Sequence, residues 1–464
     1  MAVNSFGATQ ARARHVVPLE VDIITAAGAL AATMQENPPA APDAASMPYV
    51  LYEKDGEILF AAGEAVVLTL DQTGLHLRTS RGTRTEPLGD RPLKQIQAAL
   101  AGLAEADGLP DPQWRAYGWA AFEFSCLLHG LPIPKDAGTL LHLSVPRHEV
   151  HLQSGQAEMR VADPALATLW EQALRDARPE ERPERVLVDE VSDTSGYLAA
   201  AADTIRVIDG TRLRKVILSR SVPVAGEVDL VGSYQALRRN NTPARSFLLR
   251  LGGIAAAGVS PQAIIEVSPA GAIATQPLAG TRALTGQPAT DATLRDELLA
   301  DPKEIYEHAL SVKLAQDEIA SVSADGSVVV EDFMHVVARG SVQHMASYVR
   351  GRLRPDASCW DAFGSVFPAV TASGIPKRQA CVEIVRREQS PRGLYSGAVL
   401  TVDHQDALDA ALVLRSVYQR AGATWLRAGA GLISQSNAER ELEETREKLR
   451  SVSRFLVPRL RKPA

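Results

Sequence analysis

The sequence predicts an α+β fold built on large antiparallel sheets, and three observations lead there. Strand-like and helical runs interleave through the chain without the regular βαβ rhythm of a doubly wound sheet, and no GxGxxG occurs. Apolar residues alternate in Tyr49–Phe60 about a Lys54-Asp55-Gly56 turn, which is the pattern of an antiparallel hairpin. The run Tyr117–Phe124 (YGWAAFEF) is aromatic and apolar, as expected of a strand buried on both faces.

Taken in order, residues 1–45 are rich in Ala and Pro and end in Asn37-Pro-Pro-Ala-Ala-Pro-Asp43, so a loose N-terminal arm is expected. Residues 46–185 form an N-terminal half that contributes strands. The arginine- and proline-rich segment Arg175–Arg185 reads as an exposed connection to a C-terminal half, residues 186–464. Asp193-Thr194-Ser195 can cap a helix running from Tyr197 to Val207. Lys215–Val224 and Ser246–Leu251 are strand candidates, the second ending at Gly252-Gly253.

Composition limits the function classes. The chain has 464 residues, 45% apolar and 22% charged, with net charge −6 and a pI near 6.0, so no basic field attracts nucleic acid or anionic lipid. The three cysteines, Cys126, Cys359 and Cys381, are widely spaced and form no CxxC pair, which argues against a disulfide framework or a structural zinc site. No apolar run approaches the ~20 residues of a membrane span, and the expected setting is the reduced cytoplasm.

Two helices gather carboxylates. Asp301 suits an N-cap, Pro302 the first helical position and Glu304 a capping-box acid. Glu304 and Glu307, three apart, face the same way. A second helix is expected to open at Ser436 with its capping-box acid at Glu439, and on it Glu441, Glu444 and Lys448 form one stripe. Spacing leaves two readings open, a solvated acidic face or a hard-cation site with oxygen ligands.

The motifs Lys215–Arg220 (KVILSR), Pro277–Arg282 (PLAGTR), Lys303–His308 (KEIYEH), Pro391–Gly397 (PRGLYSG), Ala428–Gly431 (AGAG) and Glu441–Lys448 (ELEETREK) occur in this order. Through them the chain from about Lys215 to Leu449 resembles the chorismate-utilising enzymes, the family of anthranilate, aminodeoxychorismate, isochorismate and salicylate synthases. Phe367–Lys377 (FPAVTASGIPK) is most similar to the salicylate synthases of actinobacterial siderophore pathways.

The resemblance implies two large antiparallel sheets packed as a sandwich with flanking helices, as in anthranilate synthase component I, and a monomer. It implies magnesium held by Glu307 and Glu441, with Glu304 and Glu444 acting directly or through water. Gly280 and Thr281 would hold the ring carboxylate of chorismate. Arg415 and Tyr395, with amides of a turn at Gly429–Gly431, would hold the enolpyruvyl carboxylate, and Lys448 would line the same region. His344 and Thr371 would line the ring, and Lys215 would be the general base that activates water. A lysine does this only where burial or positive charge lowers its pKa below ~10.4.

Lysine at position 215, Ala279 inside the PxxGT motif and the absence of a glutaminase-like cysteine motif favour hydroxylation over amination. The implied activity is conversion of chorismate through isochorismate to salicylate and pyruvate, for siderophore biosynthesis. One position departs from the family. After the Ser260-Pro261 pair the family carries a glutamate as general acid, and this chain has Gln262. An amide cannot deliver a proton, and losing a general acid costs typically ~10²–10⁴ in rate. An engineered trap, a chain restricted to pyruvate elimination or to rearrangement as a chorismate mutase, and a proton supplied by another group all remain open. So do an isochorismate synthase that stops halfway and a catalytically silent chorismate-binding protein.

Overall fold

The computed structural model describes residues 12–459 apart from 37–46, 106–108, 110, 181, 183, 194 and 341. Among the described residues an eleven-stranded and a twelve-stranded sheet carry the fold, and every pairing in them is antiparallel. They pack face to face. Tyr52, Phe247 and Leu249 of the first sheet interdigitate with Tyr117, Trp119 and Val399 of the second. Both sheets mix strands from before and after residue 185: Tyr49–Lys54 pairs with Arg245–Leu251 in the first, and Arg115–Ala120 with Ala398–Asp403 in the second.

The hairpin about Lys54-Asp55-Gly56 forms as expected, with Asp55 and Gly56 both at positive φ (52° and 81°), the conformation its two-residue turn requires. Lys215–Pro223 and Arg245–Leu251 are strands, and the latter turns at Gly252-Gly253.

Four expectations are corrected. Within the expected loose arm, Ala13–Pro18 pairs with Gln156–Val161, and Ile23–Glu36 is a helix that buries Ala26, Ala27, Leu30 and Ala31. The alanines that looked like linker composition are strong helix formers, small enough for close packing. Residues 1–11 and 37–45 of that arm, including Asn37–Asp43, lie outside the described residues. The strand through YGWAAFEF stops at Ala120, and beyond it the Glu123 carboxylate turns inward to accept the amides of Arg392 (2.6 Å) and Gly393 (3.0 Å). The helix Pro164–Asp176 takes the first two residues of Arg175–Arg185, and those described beyond it carry no regular structure. Finally, the last helix opens at Asn437, whose side chain caps Ala438–Ser453, while the Ser436 hydroxyl donates to Glu441. The Asp193 cap forms, accepting the amides of Tyr197 and Leu198 at the start of Tyr197–Asp209.

Candidate functional site

Two of the places where the chain passes from one sheet to the other, Ser260–Ala263 and Leu412–Ser416, are adjacent. They are laced together: the Ser260 hydroxyl donates to the Leu412 carbonyl (2.6 Å), the Leu412 amide to the Gln262 carbonyl (3.1 Å) and the Val259 amide to the Arg415 carbonyl (3.3 Å). Where the strands part, Arg415 (φ 48°) leaves the sheet. Its guanidinium donates to the Arg339 carbonyl (3.3 Å) and to His344 Nε2 (3.2 Å), and no acid among the described residues pairs with it. Burial, with Arg339 nearby, pushes its pKa down to about 10. A buried guanidinium without a counter-ion is poised for an anion.

His344 lies on Val342–Arg352, beside Leu278–Ala283. Its Nδ1 meets the Gly280 carbonyl (3.1 Å) and the Thr281 hydroxyl (3.0 Å). Burial first, and then Arg415, pushes its pKa down to about 3, so it is neutral, with Nε2 accepting from Arg415. A bulge at Ala279/Thr281 puts Gly280 at φ 74°, and a Cβ there would sit 3.0 Å from Glu304 Oε2. Thr371 reaches the same strand through the Leu278 carbonyl (3.4 Å).

The expected turn at Gly429–Gly431 is instead straight strand within Ala423–Leu432, paired with Lys215–Pro223. The amides of Ser219 and Ile217, which stand opposite Gly429 and Gly431, donate away from that pair, to Glu388 and the Ser373 carbonyl. In antiparallel register the Gly429 and Gly431 N–H groups therefore also point outward, on the side where the neighbouring strand, which starts at Ser416, does not extend. The Gly429 carbonyl on that side accepts from Lys448 Nζ (2.9 Å). A Cβ at Gly429 would lie 3.0 Å from the Tyr395 hydroxyl, and one at Gly431 3.0 Å from Lys215 Cε, so the absence of side chains opens this wall.

The acids face it from two helices. Asp301 caps Pro302–Ala320 through the amides of Lys303 and Glu304, but Glu304 does not close a capping box; it reaches Arg282 at 3.4 Å. Lys215 Nζ donates to Glu307 (3.0 Å), and Lys448 pairs with Glu444 (2.8 Å). Burial and then Glu307 raise the Glu304 pKa, and burial with Glu444 raises that of Glu441. Glu444 is lowered in spite of its burial, by Lys448, Arg440 and Lys215. The charge of Lys303 acts on Glu441 and Glu304 alike, so the two acid pairs lie close enough to share a lysine, and the space between them and the glycine wall is the candidate cleft.

Among the described residues no three metal-ligating side chains already converge on one point. The donor set nonetheless fits a hard divalent cation: four carboxylates, two of them resisting ionisation, and Glu441 Oε2 buried with no hydrogen-bond partner. Gln262 is 3% exposed and its Oε1 is likewise unpartnered. Sequence reasoning missed the residues that hold this arrangement from behind, Glu123, Glu388 and Arg427. Their only signal was a buried-looking motif (YGWAAFEF) or none.

The chain matches the chorismate binding enzyme model over residues 51–454 and belongs to that family. It is 40% identical to a salicylate synthase of Mycolicibacterium paratuberculosis over 96% of each chain. It is 37% identical to anthranilate synthase component 1 of Haloferax volcanii, over 55% of this chain and 49% of that one. The fold matches the menaquinone-specific isochorismate synthase of Escherichia coli (TM-score 0.69, 20% identity, 97% and 96% of the two chains). It also matches anthranilate synthase component I of Streptococcus pneumoniae (TM-score 0.71, 22% identity, 91% and 96%).

Proposed function

We propose that this chain is a salicylate synthase that converts chorismate through isochorismate to salicylate and pyruvate. The observation that carries this reading is the end-to-end likeness to a salicylate synthase, 40% identity over 96% of both chains. The charge pattern of the cleft agrees with a dianionic substrate. Arg415, Tyr395, Lys448 and the outward amides of Gly429 and Gly431 take one carboxylate. Gly280 and Thr281, beside the acids, take the other.

Glu304, Glu307, Glu441 and Glu444 would hold magnesium, and what the bound ion supplies there is positive charge opposite a carboxylate. His344 orients Arg415 and Thr281 and, with Thr371, shapes the space for the ring. Lys215, which donates to Glu307, would be the base toward water. Elimination of pyruvate from isochorismate is intramolecular and asks for a fitted pocket rather than an acid. Placement in siderophore biosynthesis, in the cytoplasm and as a monomer follows the family likeness.

Gln262 favours a second reading. Its buried amide has an unpartnered oxygen and no proton to give, and neutral His344 has none to spare, so a chain limited to pyruvate elimination fits this end of the cleft. Incubating the protein and its Gln262→Glu variant with chorismate or isochorismate and magnesium, and resolving products, decides between the two. Salicylate and pyruvate from chorismate with both proteins support the full reaction. Salicylate from isochorismate alone, with chorismate turned over only by the variant, supports the restricted one. No product or binding from either substrate overturns both.

A further inference from the structure

Behind the wall that carries Tyr395 lies a triad of Glu388, Arg392 and Arg427, none with a side chain more than 4% exposed. Glu388 Oε1 accepts from Arg392 Nη2 (2.6 Å) and from the Ser219 amide and hydroxyl (2.8 and 2.9 Å). Its Oε2 accepts from Arg392 Nε (2.9 Å) and Arg427 Nη2 (2.6 Å). Arg392 also donates to the carbonyls of Ala372 (2.7 Å), next to Thr371, and of Ile217 (2.6 Å), two residues from Lys215. Arg427 donates to the Pro391 carbonyl (2.8 Å) and the Ser219 hydroxyl (2.9 Å).

Arg392 with Ser219 already reaches both carboxylate oxygens, and Arg427 adds a second buried guanidinium at a desolvation cost. What both arginines share besides Glu388 is the Tyr395 ring, whose centroid lies 5.6 Å from Arg392 and 5.8 Å from Arg427. The Tyr395 hydroxyl makes no hydrogen bond to another described residue and stands over Gly429. Cations against the ring fix its plane and draw electron density from the oxygen, which makes the O–H a stronger donor to an anion without placing a formal charge in the cleft.

We propose that Arg392 and Arg427 are positioning residues for a substrate carboxylate, acting through the hydroxyl of Tyr395. The inference rests on the reading of the cleft as a chorismate site.

The test is a double-mutant cycle on chorismate affinity, measured with magnesium by calorimetry on wild type, Arg427→Met, Tyr395→Phe and the double variant. Arg427→Met leaves Glu388 paired with Arg392. Should it fail to fold, Arg427→Gln, which can still donate to a carbonyl, takes its place. The expected result is an affinity loss of about tenfold for either single variant, with Arg427→Met costing less than about twofold once Tyr395 is Phe. Arg427→Lys should recover part of the loss in the tyrosine background only. Equal losses in both backgrounds, or none in either, overturn the proposal while leaving the chorismate reading intact. Absence of chorismate binding by the wild type overturns that reading and this inference with it.

Discussion

Replacing Arg415 by Met should move stability and affinity in opposite directions. No acid among the described residues holds the guanidinium, and the drop from its ordinary pKa to about 10 is worth roughly 3 kcal/mol against its charge. Removing it relieves that cost and loses two hydrogen bonds, to the Arg339 carbonyl and His344, at about 1 kcal/mol each. The net is about 1 kcal/mol in favour of the unliganded fold, a rise in Tm on the order of 1–2 °C for a chain of this size. Chorismate would lose a buried cation that has no acid partner among the described residues, and a charge-assisted pair of this kind carries about 3 kcal/mol, or roughly a hundredfold in Kd. Differential scanning fluorimetry without ligand and calorimetry with chorismate read the two effects separately. A fall of several degrees in Tm would make Arg415 a structural residue, and an unchanged Kd would remove it from the site.

Three further outcomes follow from the geometry. Glu441→Gln removes a buried carboxylate whose second oxygen is unpartnered, so the Tm rise on adding magnesium to the wild type should vanish in the variant; an equal rise would displace Glu441 from the metal site. Gly429→Ala brings a Cβ within 2.7 Å of the Leu218 carbonyl and 3.0 Å of the Tyr395 hydroxyl, so chorismate affinity should drop at least about tenfold, and an unaltered Kd would show that this wall does not bind it. His148 is buried, accepts the Ala162 amide at Nδ1 (3.1 Å), and is pushed down to about 4 by burial and then by Arg12. The unfolded chain therefore takes up this proton first, and stability that is complete above about pH 6.5 is lost as the pH falls toward 4, by roughly 3 kcal/mol for this group. Urea unfolding across pH 7 to 4.5 should show a shallower loss in His148→Gln; matching slopes would contradict the assignment.

What could be read beforehand depended on whether the signal was local. The Tyr49–Phe60 hairpin, the Asp301 cap and the strands at Lys215 and Arg245 are set by neighbours within a few residues, and they stand where periodicity and turn chemistry put them. The candidate site residues were found by motif, and motifs carry identity without geometry. The resemblance implies a turn at Gly429–Gly431, whereas here the glycines thin a strand so that Tyr395 and Lys215 can approach it. The partners of Glu123, and Ser219 and Arg427 as partners of Glu388, were hidden for a different reason. A buried acid is legible only through the donors brought to it from distant segments, and Glu123 meets Arg392 across 269 positions of chain.

The division of charge in the cleft follows from which elements supply each end. Helices bring acids at i and i+3 onto one face, so Pro302–Ala320 and Ala438–Ser453 present carboxylates in pairs. The opposite end is made where strands leave one sheet for the other, and there unpaired backbone amides and a guanidinium freed from the ladder are what the fold has to offer. Lys215 belongs to the strand wall yet pairs with an acid of the helix wall, so it is the one candidate catalytic group that any cation on the acids must disturb. If the helices alone set the acid end, Lys215→Ala should leave the magnesium-induced rise in Tm in place while abolishing turnover. Loss of the rise would mean that the lysine also holds the acids in register, and its role as a base would then have to be separated from that one.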